Sequence, residues 1–260
     1  MKKKKTPEVW ICGIVSVFAF LLLWQIGCSV SELGKMIPGP ITVTGAVLKS
    51  MVSRSIGGHT LWIHIGYSLL RVLTGYILGS ALGVVVGLAM GWNRVVEAFV
   101  TPIFRLIRPI PPIAWIPISI LWFGLGFQAK VFLIVLASFC NVTLNAWAGA
   151  KSVDPQLIGA AKMLGASKSQ IFFTIVMPAS VPQIFAGLQV AMSSSWTTVL
   201  AAEMVRSTEG LGWMIVTGQT NLDMTQILVG IVAIGVVGFI LVAVMRRMED
   251  ILCRWNKGKR

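Results

Sequence analysis

The stretch DPQLIGAAKMLGASKSQIFFTIVMP, Asp154 to Pro178, decides how the rest of the chain is read. It is amphipathic, carries Lys162 and Lys168, and has the character of a soluble helix. Asp154 followed by Pro155 is a helix start: an N-cap acceptor, then a proline at the first helical position. Leu157, Ile158, Ala161 and Leu164 share one face of the helix that follows. Gly165 is placed to end it, and Ser167 to cap a second helix that stops before Pro178. Gly159, Ala160 and Ala161 give the first helix a low-relief surface. That surface suits either a partner's groove or a helix lying on lipid. On both sides lie apolar runs fit for the inside of a bilayer.

Composition agrees with a polytopic membrane protein. Hydrophobic residues make up 56% of the 260 and charged residues 12%, about half the charge of an ordinary soluble domain. Mean hydropathy is +0.83. The net charge of +13 is gathered in MKKKK at the start and RRMEDILCRWNKGKR at the end. Basic clusters beside apolar runs fit lipid headgroups and topology rather than nucleic acid. The four cysteines, Cys12, Cys28, Cys140 and Cys253, show no metal-binding spacing and read as buried or inert thiols. Ile26–Cys28 imitates a lipoprotein signal, but Gln25 stands where an aliphatic residue belongs, so the first run reads as a retained helix.

A spanning helix takes about 20 apolar residues. Six runs qualify: Val9–Val30, Leu61–Gly91, Ile110–Gly126, Val131–Ala150, Pro182–Ala202 and Met224–Met245. The expected fold is therefore an all-α polytopic membrane protein of six transmembrane helices, one domain over residues 1–260. The Lys and Arg residues concentrate in the amino end, the second and fourth connections and the tail, which predicts cytoplasmic termini. The 151–178 loop then faces the cytoplasm. Pro109, Pro111, Pro112 and Pro117 predict an irregular entrance to the third run.

Within the second run, Gly75, Gly79, Gly83, Gly87 and Gly91 recur every four residues and form a stripe for close helix packing. Arg71 lies one turn before them, as either an anion-facing or gating charge, or a snorkelling side chain or structural pair with backbone carbonyls; a charge at mid-bilayer costs at least ~2.5 kcal/mol. Asn141 and Asn145 share a face of the fourth run. Ser194, Ser195, Trp196, Thr197 and Thr198 fall in the fifth, with Glu203 beyond them. With Arg71, these are the candidates for lining a polar pathway.

The segment GAAKMLGASKSQIFFTIVMP resembles the EAA loop of ABC-importer permeases, EAA-x3-G-x9-I-x-LP. Ala160, Ala161, Gly165, Ile175 and Pro178 are in register, with Lys162 and Leu164 between them; Gly159 replaces the glutamate and Met177 the leucine. HIGYSLLRVLTGYILG, RPIPPIAWIPISILWFGLG and SSSWTTVLAAEM…EGLG resemble the nitrate/sulfonate/taurine/bicarbonate permease group, while FCNV departs from the FFPI-like segment expected there.

The resemblance implies the type I ABC importer permease fold and a set of partners. These are a second permease copy in a homodimer, two cytoplasmic ATPase subunits docked on the EAA loops, and an extracytoplasmic binding protein. It implies alternating access in a bacterial inner membrane and import of a small polar or anionic solute. A pyrimidine vitamin precursor is an alternative, and an ion-gradient carrier is the rival from another class. ATP and Mg would sit on the partner, not here: GAKS at Gly149–Ser152 lacks the glycines of a P-loop. No enzymatic motif appears, so an enzyme is not expected.

Overall fold

The computed structural model describes residues 7–30, 37–54 and 56–253. Lys2 to Lys5, Lys35, Ser55 and the tail beyond Cys253 lie outside them. The described residues are helical apart from loops and one isolated bridge, Ile56 to His59. In chain order the helices are α1 (Pro7–Val30), α2 (Pro40–Val52), α3 (Leu61–Trp92), α4 (Arg94–Ile107), α5 (Ile116–Phe123), α6 (Phe127–Lys151), α7 (Pro155–Met163), α8 (Lys168–Val205), α9 (Leu211–Thr220) and α10 (Met224–Leu252).

Five of these, α1, α3, α6, α8 and α10, are long and apolar enough to cross a membrane. The third expected run is different. Ile110–Gly126 forms a 3₁₀ turn at Pro112–Trp115 and then the eight-residue α5. Eight residues rise about 12 Å, well short of a ~30 Å hydrocarbon core. With α4 it makes a broken pair bent by 84°, so six spans are reached only by counting that pair as one. The prolines at 109, 111 and 112 remove donors where the chain turns.

Two compact units are formed, residues 1–64 with 214–233, and residues 65–213 with 234–260. In the first, Gln25 on α1 meets the start of α2: its Oε1 accepts from Ile41 N at 3.4 Å. Also in the first, Gln226 Nε2 donates to Met214 O at 2.8 Å, which ties α10 to α9.

The second unit is organised by the glycine stripe. A Cβ on Gly75 would stand 2.6 Å from Ile134, and one on Gly83 2.9 Å from Val142. Gly87 faces Thr143 and Ala146, while Gly79 and Gly91 meet Ser138 and Ala150. All five glycines press α3 against α6. Without a hydrophobic drive between helices in lipid, this backbone-close packing is what holds such a pair. Tyr76, on the same helix, donates to Leu188 O on α8 at 3.1 Å.

Candidate functional site

Segment 152–176 folds largely as its residues direct. Asp154 accepts from Gln156 N at 2.8 Å, with Pro155 behind it at the first helical position. Helix α7 closes in a Schellman motif: Gly165 N donates to Lys162 O and Ala166 N to Ala161 O, both at 3.0 Å. Gly165 has φ +83, the left-handed region that favours glycine. Ser167 and Gln170 then form a reciprocal capping box.

Two expectations fail here. The second helix does not stop before Pro178. It passes through a π turn at Phe172–Val176, where Met177 N bonds back to Phe172 O, and continues as one helix to Val205. Pro178 is taken in the first turn after the π segment, where a missing N–H is tolerated. The face shared by Leu157, Ile158, Ala161 and Leu164 is also split. Ile158, Ala161, Ala166 and Ile175 pack on a cluster with Ile171, Val176 and Ile184. Leu157 is exposed, and Met163 and Leu164 stand 86% and 88% exposed, because the left-handed turn at Gly165 swings the helix end outward. Gly159 is open: a Cβ there meets nothing within 4 Å. A groove of ≈ 430 Å³ runs beside the turn, lined by Leu164, Gly165, Gln170 and Thr174 among others.

Residues Gly149–Ser152 are the carboxyl end of α6 rather than a phosphate loop. Ser152 N bonds back to Ala148 O and Gly149 O, and Gly149 packs on Ser180.

The polar candidates in the apolar helices part into three groups. Arg71 and Glu203 form a buried ion pair, Nη1 to Oε1 at 2.6 Å, with exposures of 5% and 0%. Arg71 also donates to Glu209 O at 2.9 Å and faces Glu209 Oε2 at 3.5 Å. Ser68 Oγ reaches the Glu203 carboxylate and accepts from Leu211 N at 2.9 Å, while Gly212 N donates to Glu203 Oε2 at 3.1 Å. Gly210, at φ +116, carries the chain across this carboxylate where a Cβ would collide with it. Arg71 is paired chiefly with a carboxylate, a partner the sequence reading did not name, and only its bond to Glu209 O is to a backbone carbonyl. Glu209 as a partner of Arg71 and Ser68 as a partner of Glu203 were missed, although EGLG carried part of the signal: an acid and two glycines at a close approach.

The second group bonds within its own helix or is packed away. Thr197 and Thr198 donate to Ser193 O and Ser194 O. Ser195 and Trp196 are buried, the indole lying against Gly238. Asn145 donates to Asn141 O and packs on Gly187.

The third group, Asn141 and Ser194, opens on a recess of ≈ 130 Å³. Arg108, Trp115 and Cys140 share its lining. Cys140 is half-buried, Cys253 buried and Cys12 exposed, all as free thiols.

Long apolar helices, a bent, proline-broken pair and a capped helix–turn are the frame of a polytopic membrane chain. The chain belongs to the family described as binding-protein-dependent transport system inner membrane component, which matches residues 75–257. It is 35% identical over 220 residues to the taurine transport system permease protein TauC of Escherichia coli, covering 85% of this chain and 80% of that one. It is 29% identical over 261 residues to the nitrate import permease protein NrtB of Synechocystis, covering 96% and 94%. In fold it is similar to a chain of the MetNI methionine ABC transporter, with TM-score 0.66, 17% identity, and coverage of 74% of this chain and 95% of that chain.

Proposed function

We propose that this chain is the transmembrane subunit of an ATP-driven importer that brings a small polar or anionic solute, of the sulfonate, taurine or nitrate kind, into the cytoplasm. It works as a homodimer in a bacterial inner membrane, by alternating access. A separate ATPase pair docks on the 152–178 segment, and an extracytoplasmic binding protein delivers the solute. ATP and Mg belong to the ATPase.

The observation that carries this reading is the exposed end of α7. Met163 and Leu164 are bare on a helix whose other face is packed and whose two ends are capped. Fixing two large apolar side chains in water has no return for this chain alone. A partner's cleft removes that exposure, and the adjoining groove gives the partner a place to close. Of the EAA-like segment, Ala160, Lys162 and Gly165 lie on the same helix and turn, while Ala161 and Ile175 pack on the cluster beneath.

The test is the double variant Met163→Asp, Leu164→Asp in reconstituted vesicles. The expected result is normal insertion, loss of ATPase co-purification and loss of ATP-driven uptake. Gly165→Pro, which cannot adopt φ +83, should keep the ATPase bound but uncouple its hydrolysis from uptake. Normal ATP-driven uptake by both variants, or uptake driven by an ion gradient alone, would sink the reading.

A further inference from the structure

The recess beside Asn141 and Ser194 brings together a guanidinium with no ion pair among the described residues and neutral groups that keep hydrogen-bonding capacity open. Arg71 pairs with Glu203 and Glu209, and Lys151 with Glu97. Among the described residues Arg108 faces no carboxylate, and no acidic side chain lines the recess. Asn141 spends one amide N–H on Ala137 O at 2.8 Å, which leaves its second N–H and its Oδ1. The Ser194 hydroxyl has no hydrogen-bond partner among the described residues, although its carbonyl accepts from Thr198. The remaining walls are apolar, Trp115 among them.

This donor set has a definite chemistry. A guanidinium with two neutral donors, set in apolar walls, matches a planar or tetrahedral oxyanion. A cation would meet the guanidinium as a like charge. A neutral ring would leave its charge without a partner. The volume sets the size: ≈ 130 Å³ is about four waters at ~30 Å³ each, below the ~300–1,000 Å³ of pockets for drug-sized ligands.

We propose that this recess binds a small oxyanion (a sulfonate, nitrate or bicarbonate), with Arg108 supplying the charge and Asn141 and Ser194 the neutral hydrogen bonds. The site rests on the import reading above and narrows its substrate to anions. Arg108 lies directly after α4, at the joint of the broken pair, so an anion held there touches both the joint and α6.

Cys140, inside the recess, is a built-in reporter. The transporter is assembled with its ATPase in vesicles, with Cys12, Cys28 and Cys253 replaced by serine. Cys140 is then modified with two methanethiosulfonates, the anionic sulfonatoethyl and the cationic trimethylammonioethyl reagent. The expected result is a ratio of anionic to cationic rates that falls at least about tenfold in Arg108→Gln, because loss of a nearby positive charge slows the anionic reagent and speeds the cationic one. Arg108→Lys should keep most of the preference. Nitrate, bicarbonate or taurine should slow labelling of the parent, and chloride at equal ionic strength should not.

Ser194→Ala, which removes one oxygen, should weaken that protection severalfold without altering assembly. An unchanged ratio in Arg108→Gln, protection by chloride equal to that by the oxyanions, or a Cys140 inert to both reagents would each overturn the site. ATP-driven uptake with an unchanged ratio removes the recess and leaves the importer. A shifted ratio without ATP-driven uptake does the reverse.

Discussion

The α3–α6 pair and the 152–176 segment obey opposite rules within one unit. Along α3 the polar groups are closed upon each other. Arg71 finds Glu203 and Glu209, and Glu203 finds Ser68 and Gly212 as well. The glycines bring the backbones together until a methyl group would not fit. In the 152–176 segment the backbone is satisfied by caps at both ends of α7, yet large apolar side chains are left outside. In lipid an unpaired charge is the expensive object, so the chain pairs it internally. Met163 and Leu164 stand side by side and bare at the end of a capped helix, an exposure that a partner's cleft would cover. What each region leaves unsatisfied tells what it meets.

The comparison is broken most severely at Glu203. Glu203→Leu leaves Arg71 buried without its main partner and should cost about 3–5 kcal/mol, seen as a large fall in thermal unfolding temperature in detergent. Adding Arg71→Met should return most of the loss, since replacing both charges by apolar groups is close to neutral. If the double variant is no better than the single, the pair is not the source of the penalty.

Next in size is the stripe. Gly79→Val must displace Ser138 or α6 itself, and overpacking of this kind costs about 1–3 kcal/mol. Gly159→Val, with nothing nearby, should leave global unfolding unchanged. Equal effects at the two glycines would erase the distinction between the regions.

A smaller, local effect is expected at the caps. Asp154→Ala should loosen α7 by about 1 kcal/mol, read as faster amide hydrogen exchange over residues 155–163 with the melting temperature unaltered. The smallest change is Gly159→Glu. It gains up to ~1 kcal/mol of helix propensity and adds a carboxylate on open surface. ATPase co-purification should rise modestly, and a fall would mean that the partner's cleft has no place for the family glutamate.

Much of this was legible in the residues. The long apolar runs, the caps of α7 and the glycine stripe each depend on near neighbours or on simple periodicity. The amphipathic helix Arg94–Ile107 was missed, though its pattern was present: Asn93 caps it and Glu97 pairs with Lys151 from α6. The short helices Pro40–Val52 and Leu211–Thr220 were missed because neither is long enough to announce a span. The stop before Pro178 was misread because the π turn at Phe172–Val176 carries the chain directly into the next helix, whose first turn takes Pro178 and which also holds Pro182 in its interior.

Composition, periodicity and caps therefore determined by themselves that this is a helical membrane chain, and the EAA-like spacing determined its family. Which intramembrane polar residues are paired and which are open was decided only in three dimensions. Arg71 and Glu203 are far apart in sequence and carried the same signal as Asn141 and Ser194: polarity in hydrocarbon. Helix packing gave the first two each other and left the second two beside Arg108, a residue that local sequence had assigned only to a basic loop. Polarity is a property of a residue, whereas satisfaction is a property of its neighbours, and those are set by the fold.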